Sequence, residues 1–549
     1  MKERRESVKN SIVVQGGVLA IAGLIARLIG LVRRIPLTSI IGDVGNGYYA
    51  AAYEVYSIIL LLSSYSLPLA VSKLVSARVS RGQYKNAQKI LKGAFIFAVI
   101  SGGLACVLVF IFADWLAGTM MMEPRSAMAL RVLAPALFIV ALMGVLRGYF
   151  QGTGNMTPTA VSQIIEQIFL VIVSLVGASV LFGIGEKNGN LMMNENYGAS
   201  MGAAGATLGC VAGAIAGLLF LIGLYLVNRR KYVRQVQTDI TRKSESYISV
   251  MRIIIITILP VILSSVIYNV SNVIDQAIYN HYMVGIGEVD LKSFNWGVYS
   301  GKYRVLINLP IALANAMCSA IVPSLTSSIS NNDYVSARQK MATAIKVTMV
   351  VSIPSAIGLA VLGKPIVDML FNGEIDLAAQ MLLLGSLSIV FYSLSTLGNG
   401  ILQGINKLHV PVINSVISLV IHIGVLYLCL TVFKWGIFSV VVANLLFSLI
   451  MCVLNHIAIH KFIGYKQEFI RTFIIPGISS IIMGALIFGV YHLFLLFTPV
   501  AVACIIAILF GVVVYAVSMI LLRGLRKNDF YSIPYGAKIY KLLKRLGIY

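Results

Sequence analysis

The chain has 549 residues, of which 58% are hydrophobic and only 11% charged, and its formal net charge is +23 at pH 7. A soluble domain carries about 25% charged residues, so this chain cannot cover a water-facing surface, and lipid must be the solvent for much of it. The positive charge would suit nucleic acid, but its placement along the chain argues against that partner.

Met1 to Asn10 is basic and precedes an apolar run, in the manner of a secretory signal. The run carries Arg27 and continues to Val32 with no small-residue cleavage site behind it, so it reads as a retained first span. A bilayer crossing needs about 20 mostly apolar residues. Fourteen such segments are expected, starting near Ile12, Tyr48, Gly93, Leu130, Pro158, Tyr197, Met251, Gly301, Ala344, Leu377, Pro411, Trp435, Thr472 and Pro499. The expected fold is an all-α membrane protein of about 14 transmembrane helices.

Lys and Arg set the orientation. They crowd the second gap between spans (Lys73, Arg78, Arg81, Lys85, Lys89, Lys92), the sixth gap (Arg229, Arg230, Lys231, Arg234, Arg242, Lys243) and the end of the chain. Odd gaps are sparse or acidic, as with Glu288, Asp290, Asp368, Glu374 and Asp376. Both termini are therefore expected in the cytoplasm. Most of the positive charge then reports topology and attraction to anionic lipid. Phe530 to Tyr549 mixes Tyr, Ile and Leu with Lys and Arg, and reads either as an amphipathic segment on the inner leaflet or as a disordered basic tail.

The two halves resemble each other. Ser66-Leu-Pro-Leu-Ala70 and Tyr84-Lys-Asn-Ala87 return as Asn308-Leu-Pro-Ile-Ala312 and Tyr334-Val-Ser-Ala337. Gln151-Gly and Pro158 return as Gln403-Gly and Pro411. An even number of spans separates each pair, so the repeats enter the membrane the same way round, as two six-helix lobes with two further helices at the C-terminal end. The expected organisation is an N-terminal lobe over 1–230, a basic cytoplasmic linker over 231–250, a C-terminal lobe over 251–465, spans 13 and 14 over 466–523, and a basic tail over 524–549.

Ionisable groups inside a span cost about 2.5–3.5 kcal/mol each on insertion scales and usually face a cavity. Arg27, Arg33 and Arg34 belong to the first span, Glu54 to the second, and Lys302, Arg304 and Asn308 to the eighth. If the basic ones share a cavity, it is cationic and suits an anion, for which the planar fork of Arg is well shaped. Snorkelling to the interface is the alternative for Arg33 and Arg34. Two polar stripes follow helical spacing: Gln163, Glu166 and Gln167 in span 5, and Asn269, Asn272, Asp275 and Gln276 in span 7. Each is either interhelical hydrogen bonding or a functional site. The six cysteines fall inside apolar runs without ligand spacing and read as buried hydrophobes. Walker A, HExxH and GxSxG signatures are absent, so no ATPase, metal or resident cofactor is expected, and the chain reads as a transporter rather than an enzyme.

Gly45-Asn-Gly-Tyr48, Ala52-Tyr53, Tyr56-Ser57, Leu67-Pro68-Leu69-Ala70, Ser72-Lys73-Leu74-Val75 and the run from Arg27 to Arg33 resemble the stage V sporulation protein B type of oligosaccharide flippase, within the multidrug/oligosaccharidyl-lipid/polysaccharide exporter superfamily. The resemblance covers most of the chain and is strongest over 20–92. It implies a flippase for a lipid-linked saccharide, lipid II above all, whose pyrophosphate would meet Arg27, Arg33, Arg34, Lys302 and Arg304, and whose tail would lie along spans 13 and 14. It also implies a cation site at Asp275, with Asn272 and Asn269 beside it, for Na+ or H+ coupling. A cation-coupled multidrug antiporter of the same fold stays open, with Glu54, Glu166 and Asp275 as its ion sites. So does a non-transporting scaffold that engages cell-wall synthesis proteins.

Overall fold

The computed structural model describes residues 25–65, 67–239, 245–330, 332–407 and 409–524, with residues 19, 22 and 23. Met1–Asn10, Arg242, Lys243 and the stretch from Phe530 to Tyr549 lie outside these, and with them the expected amphipathic tail. All regular structure among the described residues is helical. In hydrocarbon no water can satisfy the backbone, and a helix satisfies it within the segment.

Ten described helices are long and apolar enough to cross a membrane, or eleven if a pair bent by 52° counts as one span. The chain is thus a multi-pass membrane protein. The count differs from the fourteen expected for two reasons. The first two expected spans form one continuous stretch, Ile25–Val79. The helices at expected spans 7 and 8 are not among the ten, and the apolar stretch found within the seventh is Ser249–Ile258.

Two compact units divide the chain, Met1–Gly301 and Lys302–Tyr549. The first contains α1 (Arg34–Leu60), α2 (Leu67–Val79), α3 (Tyr84–Ile111), α4 (Ala127–Gly152), α5 (Thr157–Leu191), α6 (Tyr197–Val227), the basic α7 (Arg229–Gln237), α8 (Tyr247–Gly285) and α9 (Val289–Val298). The second contains α10 (Arg304–Ser330), α11 (Tyr334–Val361), α12 (Gly363–Leu370), α13 (Asp376–Gly385), α14 (Ser388–Gly404), α15 (His409–Thr431), α16 (Phe438–Ile463), α17 (Ile475–Leu495) and α18 (Val500–Leu521). The packing boundary falls beyond the lobe boundary read from the repeat, because α8 commits Val250, Ile254, Ile258 and Val273 to the apolar clusters of the first unit.

Small residues set the close approaches in the first unit. Lipid tails are as apolar as the helices, so packing rather than water exclusion drives their association. A Cβ on Gly205 of α6 would lie 2.1 Å from the carbonyl oxygen of Gly177 on α5. One on Gly297 of α9 would lie 1.6 Å from the Asp43 oxygen of α1, and one on Gly47 would lie 2.1 Å from that of Ser293. At Gly42 the helix α1 breaks with φ +70°, a left-handed conformation that glycine adopts without steric cost.

The repeat is visible in the turns. Between α4 and α5, Thr153 N, Gly154 N and Asn155 N donate to the carbonyls of Tyr149, Gln151 and Phe150. Between α14 and α15, Ile405 N, Asn406 N and Lys407 N donate to Ile401, Gln403 and Leu402 in the same pattern. Gly154 (φ 88°) and Asn406 (φ 62°) occupy the same left-handed position. Gly82 (φ 69°) and Asn332 (φ 58°) do so after α2 and α10. A wide π-helical turn also precedes each Leu-Pro element: Leu61–Tyr65 before Pro68, and Tyr299–Tyr303 before Pro310.

Candidate functional site

Arg33 sits at the junction between the helical residues 25–32 and α1, and it is 6% exposed. Its Nη1 donates to Ser174 Oγ on α5 at 2.6 Å, and its Nη2 donates to Tyr49 OH at 3.2 Å. Its buried Nε has no hydrogen-bond partner among the described residues. The partners of this guanidinium are therefore neutral hydroxyls. A buried cation without a counter-charge is costly, by several kcal/mol per ion even after relaxation. The Arg34 guanidinium lies over the Tyr49 ring at 4.6 Å and the Tyr53 ring at 5.9 Å. Tyr53 stacks on Tyr49, with centroids 5.7 Å apart, and Tyr56 follows at 5.8 Å from Tyr53. The spacing of these tyrosines on α1 puts them along one face, so the two arginines meet an aromatic ladder, and Arg33 also meets Ser174 of α5.

The other predicted residues distribute as follows. Arg27 is exposed, on a different side of its helix from Arg33. Glu54 is buried in α1 at 7% exposure. Asp275 and Gln276 are buried in α8 at 1% each, Asn269 and Asn272 are half-buried, and Gln276 Oε1 has no donor among the described residues. Lys302, Arg304 and Asn308 belong to the second unit. Lys302 is fully buried and donates to the Glu374 carbonyl at 2.8 Å, so part of its donor capacity holds the loop before α13. Arg304 is half-buried and Asn308 is exposed. The sequence groups all three with the arginines of the first span, whereas Arg33 and Arg34 belong to the first unit and these three to the second.

The span 5 stripe makes a tie. Arg147 Nη2 on α4 pairs with Glu166 Oε2 at 2.7 Å, and Arg147 Nε donates to Ser162 Oγ at 3.0 Å. In the second unit amides take this role: Asn414 Nδ2 donates to Asn455 Oδ1, and Asn455 Nδ2 to Asn399 Oδ1, each at 2.9 Å. Sequence reasoning missed Tyr49 and Ser174, the residues that hold Arg33. Tyr49 lies four residues from Tyr53 and beside the quoted Gly45–Tyr48 run, which was the available signal. For Ser174, one hydroxyl in an apolar helix, there was none.

The second unit has a groove of about 600 Å³ between α10, α11, α12, α17 and α18. Its walls are almost wholly apolar, with Leu309, Pro354, Leu359, Ile487 and Ile508 among them, and Ser355 and Tyr515 as the polar exceptions. Tyr515 OH donates to the Val350 carbonyl at 2.8 Å, which keeps the phenol satisfied at the wall.

The model of a family described as polysaccharide biosynthesis protein matches residues 12–329, more than half of the chain. The chain belongs to this family. A second family model, MatE, matches 260–428. Among relatives of the polysaccharide biosynthesis protein family, the chain is 26% identical to the lipid II flippase MurJ of Bacillus subtilis over 417 residues, 74% of this chain and 75% of that one. It is 24% identical to stage V sporulation protein B of the same organism over 526 residues, 94% and 96% of the two chains. Its fold is similar to a solved structure of MurJ in an inward closed conformation, with TM-score 0.66, 16% identity, and coverage of 92% and 98%. The exporter-superfamily resemblance read from the sequence is thereby established, and the family is one of membrane transporters of the flippase type.

Proposed function

We propose that the chain flips a lipid-linked oligosaccharide, with lipid II as the first candidate, from the inner to the outer leaflet by alternating access. The observation that carries this reading is Arg33, a buried guanidinium held by two hydroxyls, with no carboxylate and no partner for its Nε among the described residues. Such a group is made whole by an anionic ligand, and a pyrophosphate offers oxygens in the geometry that the fork of Arg recognises. Arg34 and the tyrosine ladder narrow the place where that anion lies. The apolar groove beside α17 and α18 supports a place for the lipid tail. With both termini in the cytoplasm, an inside-negative potential favours outward movement of an anion by about 2.3 kcal/mol per charge per 100 mV. Transport then needs no ATP, and a Na+ or H+ at buried Asp275, beside Asn272 and Asn269, resets the protein.

The match of the MatE model over 260–428 and the buried Asp275 favour a second reading, a cation-coupled antiporter for cationic drugs. The two readings differ at Arg33, since a cationic drug gains nothing from a buried positive charge. Purified protein in liposomes that contain lipid II is the test. Movement of lipid II that Arg33→Met abolishes supports the flippase. Absence of movement, with drug efflux that survives Arg33→Met, overturns it.

A further inference from the structure

The segment Met121–Ser126, between the third and fourth expected spans, joins many parts of the first unit. Asn280 Nδ2 of α8 donates to the Met121 carbonyl at 2.7 Å. Lys292 Nζ of α9 pairs with Glu123 Oε2 at 2.6 Å, and Ser293 Oγ donates to the same oxygen. Arg125 Nη1 reaches Tyr48 OH of α1 at 3.1 Å, and its Nη2 reaches Asn194 Oδ1 at 3.4 Å. Ser200 Oγ of α6 donates to the Arg125 carbonyl at 2.7 Å. Both side chains of the Glu123–Lys292 pair are only 4% exposed. The pair ties α9 to this segment, and α9 in turn meets α1 where Gly47 and Gly297 leave no room for a Cβ.

The first unit ends just beyond α9, at Gly301. The chain passes from Gly301 to Lys302, and so from the first unit to the second, inside the π-helical turn Tyr299–Tyr303. Any force that the second unit applies through the backbone at this connection reaches α9 first. The Lys and Arg asymmetry puts this end of the bundle on the outer side.

We propose that Glu123 and Lys292 form an outer latch. The pair holds α9 against α1 and the 121–126 segment, and it separates when the outer face of the first unit opens. The chemistry suits a reversible catch. An apolar contact loses its burial outright on opening, whereas two separated charges recover their hydration. Closed and paired, or open and hydrated, are thus two discrete arrangements close in free energy. Removal of one partner leaves a dry, uncompensated charge and favours the open arrangement. This inference rests on the alternating-access reading.

The test uses full-length protein in right-side-out vesicles, with the six native cysteines replaced by alanine and Ser300→Cys as reporter. Ser300 is buried in the π turn and its hydroxyl makes no hydrogen bond among the described residues, so the substitution is mild. With the latch intact, a membrane-impermeant maleimide labels it slowly from outside. Glu123→Gln and Lys292→Met each raise the labelling rate about tenfold, a population shift of the size expected for coupled states. The charge-reversed double variant Glu123→Lys with Lys292→Glu returns it to within about twofold of the parent. Size-exclusion profiles and hydrogen exchange in α4 and α6 confirm that each variant is folded. Parental labelling in both folded single variants overturns the latch, as does a double variant that labels as fast as the singles. The assay needs no substrate, so its outcome is separate from the flippase test: the latch pattern without lipid II movement overturns only the flippase, and movement with flat labelling overturns only the latch.

Discussion

Arg33→Met should leave the empty protein at least as stable as the parent while it destroys binding of the anion. The substitution removes hydrogen bonds from the guanidinium to Ser174 Oγ and Tyr49 OH, worth about 1.5–3 kcal/mol each for a charged donor. It also removes a cation that is 6% exposed and faces no carboxylate among the described residues, whose burial costs several kcal/mol. The two terms oppose each other and nearly cancel, and methionine fills the space with flexible apolar atoms. On the ligand side nothing offsets the loss. Deleting one partner of a desolvated charged contact costs about 2–5 kcal/mol, and at 1.4 kcal/mol per tenfold that is about thirtyfold to several thousandfold in Kd. Arg33→Lys keeps the charge but not the fork, and falls between parent and Met. Thermal unfolding and titration with undecaprenyl pyrophosphate in nanodiscs measure both quantities. A fall in Tm of 5 °C or more with unchanged affinity would refute the argument, because the charge would then be part of the scaffold.

Three further outcomes follow from the packing. Gly297→Ala puts a Cβ 1.6 Å from a backbone oxygen of α1. Backbone cannot yield as a side chain does, so the loss should be about 3 kcal/mol or more, seen as failed expression or a much lower Tm, while Gly358→Ala, whose nearest neighbour is a methionine methyl at 4.0 Å, should be silent. Gly358→Leu should fill the groove of the second unit and slow lipid movement without lowering Tm, as measured by flipping rate and melting in parallel. The Asp376 carboxylate beside Lys364 pushes the lysine pKa up, so any stability from the pair is complete at neutral pH and fades only as alkaline pH passes the lysine's raised pKa. Both partners are 67% exposed and water screens them, so Lys364→Ala should melt like the parent at pH 7 and at pH 9.

Much of the fold was legible because hydropathy and charge act on whole segments. A run such as Thr157–Leu191 has few alternatives in lipid. The join between the first two expected spans was misread, because Arg33, Arg34, Thr38, Ser39, Asp43 and Asn46 look like a polar gap, whereas the chain stays helical through them and bends only at Gly42. The site was half legible. An arginine in an apolar run is conspicuous, which picked out Arg33, but whether it faces lipid or protein depends on which helix supplies the hydroxyl opposite. Arg27 has the same composition around it and is exposed. Glu123 and Lys292 gave no signal in the sequence, since their pairing joins positions 169 residues apart.

The matched turns also allow residue-by-residue comparison of the halves. Gly154 and Asn406 are counterparts, and the same offset carries Arg147 to Asn399 and Ser162 to Asn414. One half therefore ties its helices with ionised groups, and the other with neutral amides that meet on Asn455 of α16. The repeat keeps its turn geometry in both halves but its charged tie in one. At this tie dissolved ions can screen the charges of the first half and find none to screen in the second, so the internal symmetry of the molecule ends where its sensitivity to its surroundings begins.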